Sequence, residues 1–168
     1  ATIFGVTGGV MEAAIRSAYY LVTKEELADV NVTAVRGMDG VKVGEVDIKG
    51  TKVKVAIAHG LANVKAVLDE VRAAREAGAE PPYHFIEVMA CRGGCIAGGG
   101  QPYGTEDNIR EMRTAGLYKD DEISAQRCSH HNPEIKDIYE NFLGAPLSEK
   151  AHHLLHTTYD KVKTYKAL

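Results

Sequence analysis

Hydrophobic residues recur along the first half of the chain in patterns that predict helices alternating with strands. Residues 10–22 follow a glycine-rich turn and carry apolar side chains on most sides, which predicts a mostly buried helix. Residues 61–74 place apolar side chains at helical spacing, and a glycine and a proline pair end that helix. Between the helices, an antiparallel meander of three strands is predicted over residues 30–35, 41–48 and 51–58.

Strand and helix signals continue on both sides of this region. An apolar, β-rich run at 83–89 predicts a further strand directly after the second helix, and Ile3 and Phe4 are predicted to end another at the start. Short helices are predicted over residues 107–114, 133–143 and 148–159. The predicted fold class is α/β with α+β elements. A sheet flanked by helices contains the antiparallel meander, and a helical arm follows at the C-terminus.

Composition narrows the class of protein only slightly. The 168 residues are 45% hydrophobic, which is ordinary for a globular core. A net charge of −3 gives no electrostatic reason to expect nucleic acid or an anionic membrane as a partner. No apolar run approaches the roughly 20 residues of a membrane helix, so membrane insertion is not expected. Three cysteines suit a reducing compartment, so we expect a cytoplasmic location, with the periplasm as the alternative.

Candidate chemistry is concentrated in the loop after the predicted strand at 83–89. Cys91 and Cys95 lie four positions apart in this loop. Five glycines surround them, at positions 93, 94, 98, 99 and 100. Glycine allows the backbone amides of a loop to approach an anionic group closely. The carboxyl end of a strand in an α/β unit is also the usual side for a ligand.

The spacing of the cysteines leaves several interpretations open. Structural zinc sites favour closer pairs and need a second pair, which the chain lacks. A disulfide between Cys91 and Cys95 would close a very short loop and leave Cys128 unpaired. A nucleophilic cysteine would need a base, which His59 or His84 would supply only through the fold. An iron–sulfur cluster and a tight structural loop with buried cysteines are about equally compatible with the spacing.

The complete amino-acid sequence of the loop resembles that of a known family. Residues 87–104, EVMACRGGCIAGGGQPYG, closely resemble the last cluster-binding signature of iron-only hydrogenases, also called di-iron or FeFe hydrogenases. Residues 4–14, FGVTGGVMEAA, are similar to the segment that precedes this signature in the family. Residues 127–133, RCSHHNP, and 151–159, AHHLLHTTY, resemble the family's C-terminal tail. The resemblance therefore extends over the whole chain.

The resemblance implies a domain organisation and a cofactor. Residues 1–104 would be the C-terminal lobe of the catalytic domain, and residues 105–168 would be a helical tail like the hydrogenase small subunit. The cofactor would be the H-cluster, a 4Fe-4S cubane joined to a di-iron unit that carries CO, cyanide and a bridging dithiolate. The activity implied is the reversible oxidation of molecular hydrogen, or the reduction of protons.

The resemblance also implies roles for individual residues. Cys91 would bind the cubane alone, whereas Cys95 would bridge the cubane and the di-iron unit. Met89 and Phe4 would flank the di-iron unit and keep its pocket dry, with core packing as the alternative for both. The backbone cradle of the cofactor would be formed by Gly98, Gly99 and Gly100.

Two thiolates are half of the four that a cubane takes. We therefore expect a second chain, or an upstream segment, to supply the other two cysteines and the proton relay. The chain begins within a predicted strand-and-helix unit, which agrees with this expectation. Electrons would be exchanged with ferredoxin, an NAD(P)-linked flavoprotein or a cytochrome. The alternative is a cytosolic iron–sulfur assembly protein, a class that shares the EVMAC and GGGQ wording but binds ordinary 4Fe-4S clusters.

Overall fold

A small mixed sheet carries the cysteine loop. The computed structural model describes residues 2–104 and 108–160, and the chain divides into two compact units, Ala1–Ser129 and His130–Leu168. None of the helices among the described residues has the length and apolar character needed to cross a membrane. The predicted domain division between residues 104 and 105 stays a prediction.

The sheet of the first unit contains β1 (Val41–Ile48), β2 (Thr51–His59) and β3 (Phe85–Met89), in that order. β1 and β2 are antiparallel and are joined by a tight turn. β2 and β3 are parallel, with His59 paired to Met89 at their carboxyl ends. A parallel connection needs a crossover, which α2 (Leu61–Glu76) provides. The end of β2 therefore lies directly beside the start of the cysteine loop.

Helices pack on both faces of β2. One face meets α1 (Gly9–Thr23), and the other meets α2. The core on the α1 side consists of Met11, Ile15, Val35, Val55 and Ile57. The core on the α2 side consists of Ala56, Ala58, Val64 and Val67. Because successive strand residues point to opposite faces, β2 is buried on both sides and is the central strand of the sheet.

A buried group of charged residues joins α1 to α3 (Ile109–Ile123). The Arg16 guanidinium is 1% exposed and donates to Glu12 Oε1 at 2.8 Å and to both carboxylate oxygens of Asp121 at 3.0 and 2.9 Å. Arg36 donates to the same Glu12 oxygen at 2.7 Å. Burial disfavours the Asp121 carboxylate, but hydrogen bonds from Arg16 and Arg127 outweigh it and lower the pKa of Asp121.

The second unit contains α4 (Pro133–Ile138), a π-helical turn (Tyr139–Leu143) and α5 (Glu149–Leu155). The Asn132 side chain caps α4 by accepting from the Glu134 amide at 2.9 Å, as predicted. Ser148 caps α5 in the same way, through the Ala151 amide at 3.1 Å.

The α/β fold class, the antiparallel β1 and β2 pair, α1, α2 and β3 are confirmed. The predicted strand at 30–35 is wrong: local hydrogen bonds from Asn31 to the Asp29 side chain and from the Thr33 amide to the Asn31 carbonyl replace strand pairing. A 3-10 turn, Thr33–Val35, forms there instead.

Other boundaries also differ from the prediction: the helix predicted at 148–159 ends at Leu155. Ile3 and Phe4 lie in a 3-10 turn, Thr2–Gly5, and do not end a strand. The helix predicted at 107–114 continues to Ile123, because Asp121 in its last turn is anchored by Arg16. Residue 107, at its predicted start, lies outside the described residues.

The buried charges predict that loss of Arg16 lowers the free energy of unfolding far more than loss of an exposed arginine. Arg16→Ala leaves the Glu12 and Asp121 carboxylates buried without this partner, so we expect the free energy of unfolding to fall by about 3–5 kcal/mol. Arg72→Ala is the matched control, because it breaks an exposed ion pair with Asp69 on α2 and should cost about 1 kcal/mol or less. Urea denaturation of both variants measures the difference. Equal losses would show that Arg16 contributes no more than a surface ion pair.

Candidate metal centre

The cysteine loop, residues 90–100, begins where β3 ends and presents two thiols at the surface. Cys91 and Cys95 are exposed, Cys128 is buried, and all three are free thiols. The disulfide and the buried-cysteine interpretations are therefore wrong for this loop. Burial raises the pKa of the Cys128 thiol, and Cys128 lies outside the cysteine loop. Cys91 and Cys95 thus provide two soft donors within a single loop.

Gly94 fixes the path of the cysteine loop. Its backbone has φ 100° and ψ −162°, a conformation that essentially only glycine adopts. A Cβ at this position would lie 2.8 Å from the Gly5 carbonyl oxygen, 2.8 Å from Met89 Sδ and 2.9 Å from the Thr7 amide nitrogen. The loop therefore passes against the segment before α1 with no room for a side chain.

The glycines at 98–100 have a different character. A Cβ at Gly98 would lie 3.9 Å from Cys91 Sγ and 3.2 Å from the Cys95 carbonyl oxygen, whereas one at Gly99 or Gly100 would meet nothing within 4 Å. The Gly98 amide donates to the Cys95 carbonyl at 3.0 Å. Gly98 therefore leaves open space beside the Cys91 thiol, while its own amide stabilises the turn. The proposed cradle of Gly98, Gly99 and Gly100 stays a prediction.

His59, at the end of β2, is hydrogen-bonded to the backbone of the cysteine loop. The ring is 2% exposed, and its Nδ1 accepts a hydrogen bond from the Gly93 amide at 3.0 Å. Since a backbone amide can only donate, the ring hydrogen is on Nε2, which donates to the Met38 carbonyl at 3.1 Å. Both ring nitrogens thus have backbone partners. His59 has no nitrogen available as a base for a nucleophilic cysteine.

Glu87 ties the cysteine-bearing strand to α1. Its carboxylate, on a residue 5% exposed, accepts from the Gly8 amide at 2.5 Å and the Met11 amide at 2.7 Å, where the helix dipole favours negative charge. Lys42 Nζ donates to the Thr7 and Gly37 carbonyls at 3.2 and 2.8 Å. Burial lowers the pKa of Lys42, and the Glu87 charge opposes that shift. Together they fix the backbone at Thr7, Gly8 and Met11, where α1 begins.

Sequence reasoning missed these buried polar residues. Lys42 lies in an alternating strand, where a charged side chain is usually exposed to solvent, yet it is buried. Glu87 appeared only as part of the family wording. The usable signal was a carboxylate in an otherwise apolar run, since a buried charge requires a partner.

Space lies beside the thiols. A cavity of about 360 Å³ opens next to Cys95, and Arg113 on its wall donates to the Ile96 carbonyl at 2.7 Å. Met89 Sδ lies close to Gly94, and Phe4 is 42% exposed. Two surface thiols on one loop, with open space beside Cys95, suit an iron–sulfur group that takes further ligands from elsewhere.

Comparison with known proteins gives matches along nearly the whole chain. The family model for the C-terminal domain of the iron-only hydrogenase large subunit matches residues 1–99. The family model for the iron hydrogenase small subunit matches residues 107–162. The chain is 39% identical to a variant of the FeFe-hydrogenase HydA1 from Chlamydomonas reinhardtii, with a TM-score of 0.67, over 93% of this chain and 45% of that one.

Curated relatives fall into two groups. The NADP-reducing hydrogenase subunit HndD of Solidesulfovibrio fructosivorans is 51% identical over 96% of this chain and 27% of its own length. The periplasmic iron hydrogenase large subunit of Nitratidesulfovibrio vulgaris is 56% identical over 61% of this chain and 23% of its own. The cytosolic iron-sulfur assembly component 3 of Rattus norvegicus is 30% identical over 95% of this chain and 32% of its own. The chain spans about a third or less of each relative.

The two kinds of loop glycine predict different substitution costs. Gly94→Ala should lower the free energy of unfolding by about 1–3 kcal/mol or more, because a Cβ strains the backbone and meets the segment at residues 5–7. Gly99→Ala should change it by about 0.5 kcal/mol or less. Thermal unfolding measures both, since each kcal/mol corresponds to roughly 2–4 °C in a protein of this size. A Gly94→Ala protein as stable as the Gly99→Ala control would refute this account of the loop.

Proposed function

The chain belongs to the iron-only hydrogenase family, and from that premise we propose that Cys91 and Cys95 are two of the four protein ligands of an H-cluster. The observation that carries the proposal is the exposure of both thiols on one loop, at the carboxyl end of β3. The activity proposed for the assembled protein is the reversible oxidation of molecular hydrogen. When bound, the cluster supplies the electron exchange and the open iron position that this reaction requires.

The chain's own residues hold the cofactor and exclude water from it. Cys91 would hold the cubane, and Cys95 would be a ligand of both the cubane and the di-iron unit. Gly98 leaves room beside the Cys91 thiol, since a Cβ there would lie 3.9 Å from Sγ. Met89 and Phe4 would flank the di-iron unit with soft and aromatic surface. Gly99 and Gly100 continue the open cradle.

The remaining two ligands and the proton relay come from a second chain or another segment of the protein. Support comes from the ligand count, because a cubane takes four thiolates and the loop provides two, while Cys128 is buried and lies outside the loop. Apolar side chains near the loop are also exposed: Phe4 by 42% and Val88 by 49%. Ile3 does not belong to this exposed surface, because it is 1% exposed within the chain's own core.

The electron partner is ferredoxin or an NAD(P)-linked flavoprotein. The name of the Solidesulfovibrio relative, an NADP-reducing hydrogenase subunit, supports the second. We place the protein in the cytoplasm. The periplasmic relative of Nitratidesulfovibrio keeps the periplasm as the alternative.

A second candidate function is iron–sulfur cluster assembly, without hydrogen chemistry. The likeness to the assembly component of Rattus norvegicus, at 30% identity over 95% of this chain, favours it. The higher identity to hydrogenases, and the match of residues 107–162 to the hydrogenase small subunit, favour the first. The two functions differ in cofactor, because an assembly protein binds ordinary cubanes.

Infrared spectroscopy of the assembled, matured protein separates the two functions. We expect stretching bands of metal-bound CO and cyanide, together with a full set of cluster iron. Cys91→Ala and Cys95→Ala should abolish both signals, because each removes a ligand. Cys128→Ala is the control, and its iron content and bands should equal those of the wild type. Cluster iron without these bands would favour the assembly function, and iron loss in Cys128→Ala would refute the ligand assignment.

The ligand count predicts a dependence on the partner. Expressed alone, the chain should bind little iron and aggregate, because uncovered apolar surface costs roughly 25 cal/mol per Å². Co-expression with the segment that carries the other two cysteines should restore both solubility and iron. Iron analysis and size-exclusion chromatography measure these outcomes. A soluble monomer with a full complement of cluster iron would show that this chain contains every ligand.

A further inference from the structure

The residue midway between the two candidate ligands is held through both its amide and its carbonyl. Gly93 lies two residues from Cys91 and two from Cys95. Its amide donates to His59 Nδ1 at 3.0 Å, and its carbonyl accepts from the Thr7 amide at 3.0 Å. The Gly94 amide donates to the Cys91 carbonyl at 3.1 Å, which closes the turn between the thiols. The backbone of Gly93, held at its amide and at its carbonyl, therefore determines how the two cysteines are placed relative to each other.

The His59 ring cannot easily turn away from this contact. It is 2% exposed, and the bond from Nε2 to the Met38 carbonyl fixes its second nitrogen. The backbone around it is fixed as well, because the His59 amide donates to the Gly40 carbonyl and the Gly60 amide to the Met89 carbonyl. The Nδ1 acceptor of His59 is therefore buried and fixed in direction, and its hydrogen-bond partner is the Gly93 amide at the centre of the turn between Cys91 and Cys95.

We propose that His59 is a positioning residue for the cofactor: its Nδ1 lone pair holds the Gly93 amide and thereby sets the separation and direction of the Cys91 and Cys95 thiols. The proposal rests on the proposed function, since it concerns the same site. His59 does not touch the cofactor in this role. It acts as the partners of metal ligands do elsewhere, whose loss typically costs about 10–100-fold in metal affinity.

Two amide variants separate the two hydrogen bonds of the ring. The Oδ1 atom of asparagine branches from Cγ, as Nδ1 of histidine does, so His59→Asn retains an acceptor for the Gly93 amide. The Nε2 atom of glutamine takes the place of histidine Nε2, so His59→Gln retains the donor to the Met38 carbonyl and removes the acceptor. Glutamine is also closer in size to histidine. A role in packing alone therefore predicts that His59→Gln is the milder change.

The test compares the three proteins in the complete assembly by the rate at which a chelator removes cluster iron. We expect His59→Gln to lose iron about 10-fold faster than wild type or more. His59→Asn should lose it at nearly the wild-type rate. Equal rates in the two variants, or faster loss in His59→Asn, would overturn the proposal.

A second measurement does not depend on iron. A trivalent arsenical binds two thiols held at a suitable separation. In the metal-free assembly with the two cluster cysteines of the other segment replaced by alanine, its affinity therefore reports the placement of Cys91 and Cys95. We expect about 10-fold weaker binding in His59→Gln and near wild-type binding in His59→Asn. Unchanged arsenical affinity in His59→Gln would overturn the proposal. A wild-type protein without cluster iron would refute the proposed function alone, because the arsenical affinities would still decide the role of His59.

Discussion

Glu87 is the contact on which the geometry of the first unit depends. It lies in the strand that leads to the cysteine loop, and its carboxylate binds two amides at the start of α1. Neither side is stable alone: the carboxylate would be a buried charge without a partner, and the helix would begin with unsatisfied amides. Their pairing fixes the strand and the start of the helix in one arrangement. The glycine-only conformation at Gly94 is possible because these surroundings are already fixed.

Periodicity in the sequence was sufficient for the apolar framework. The helices α1 and α2 and the pair β1 and β2 lie where apolar spacing predicted them, because burial of apolar side chains dominates those elements. Spacing failed for polar residues that are buried with a partner far along the chain. Arg16 and Glu12 lie on the inner side of α1, and Lys42 lies in an alternating strand. A pattern of hydrophobicity assigns such residues to solvent, since it contains no information on long-range partners.

In the candidate site, too, some residues could be identified from the sequence and others only from the structure. The thiols of Cys91 and Cys95 were identified from the wording of the loop, whereas the residue that supports their turn, His59, is 34 positions from Gly93. The family resemblance singled out Gly98, Gly99 and Gly100 and assigned no role to Gly94. The structure distinguishes them, because Gly94 is required by the backbone and Gly99 is not. The two glycines differ because the loop packs against residues 5–7 at Gly94 and not at Gly99, and the sequence does not show this packing.

The long sequence separation of the contacts at α1 has a consequence for the order of folding. The β1 and β2 hairpin is local, and α2 follows it directly, so these elements close with little loss of chain entropy. The Glu87 contact with Gly8 spans 79 residues, and the Arg16 contact with Asp121 spans 105. Because such loops close late, the start of α1 is anchored only after the cysteine strand and α3 have been synthesised. Until then, the turn between the two thiols lacks the hydrogen bond from the Thr7 amide. A cluster delivered to the nascent chain would therefore meet a binding loop that has not yet formed.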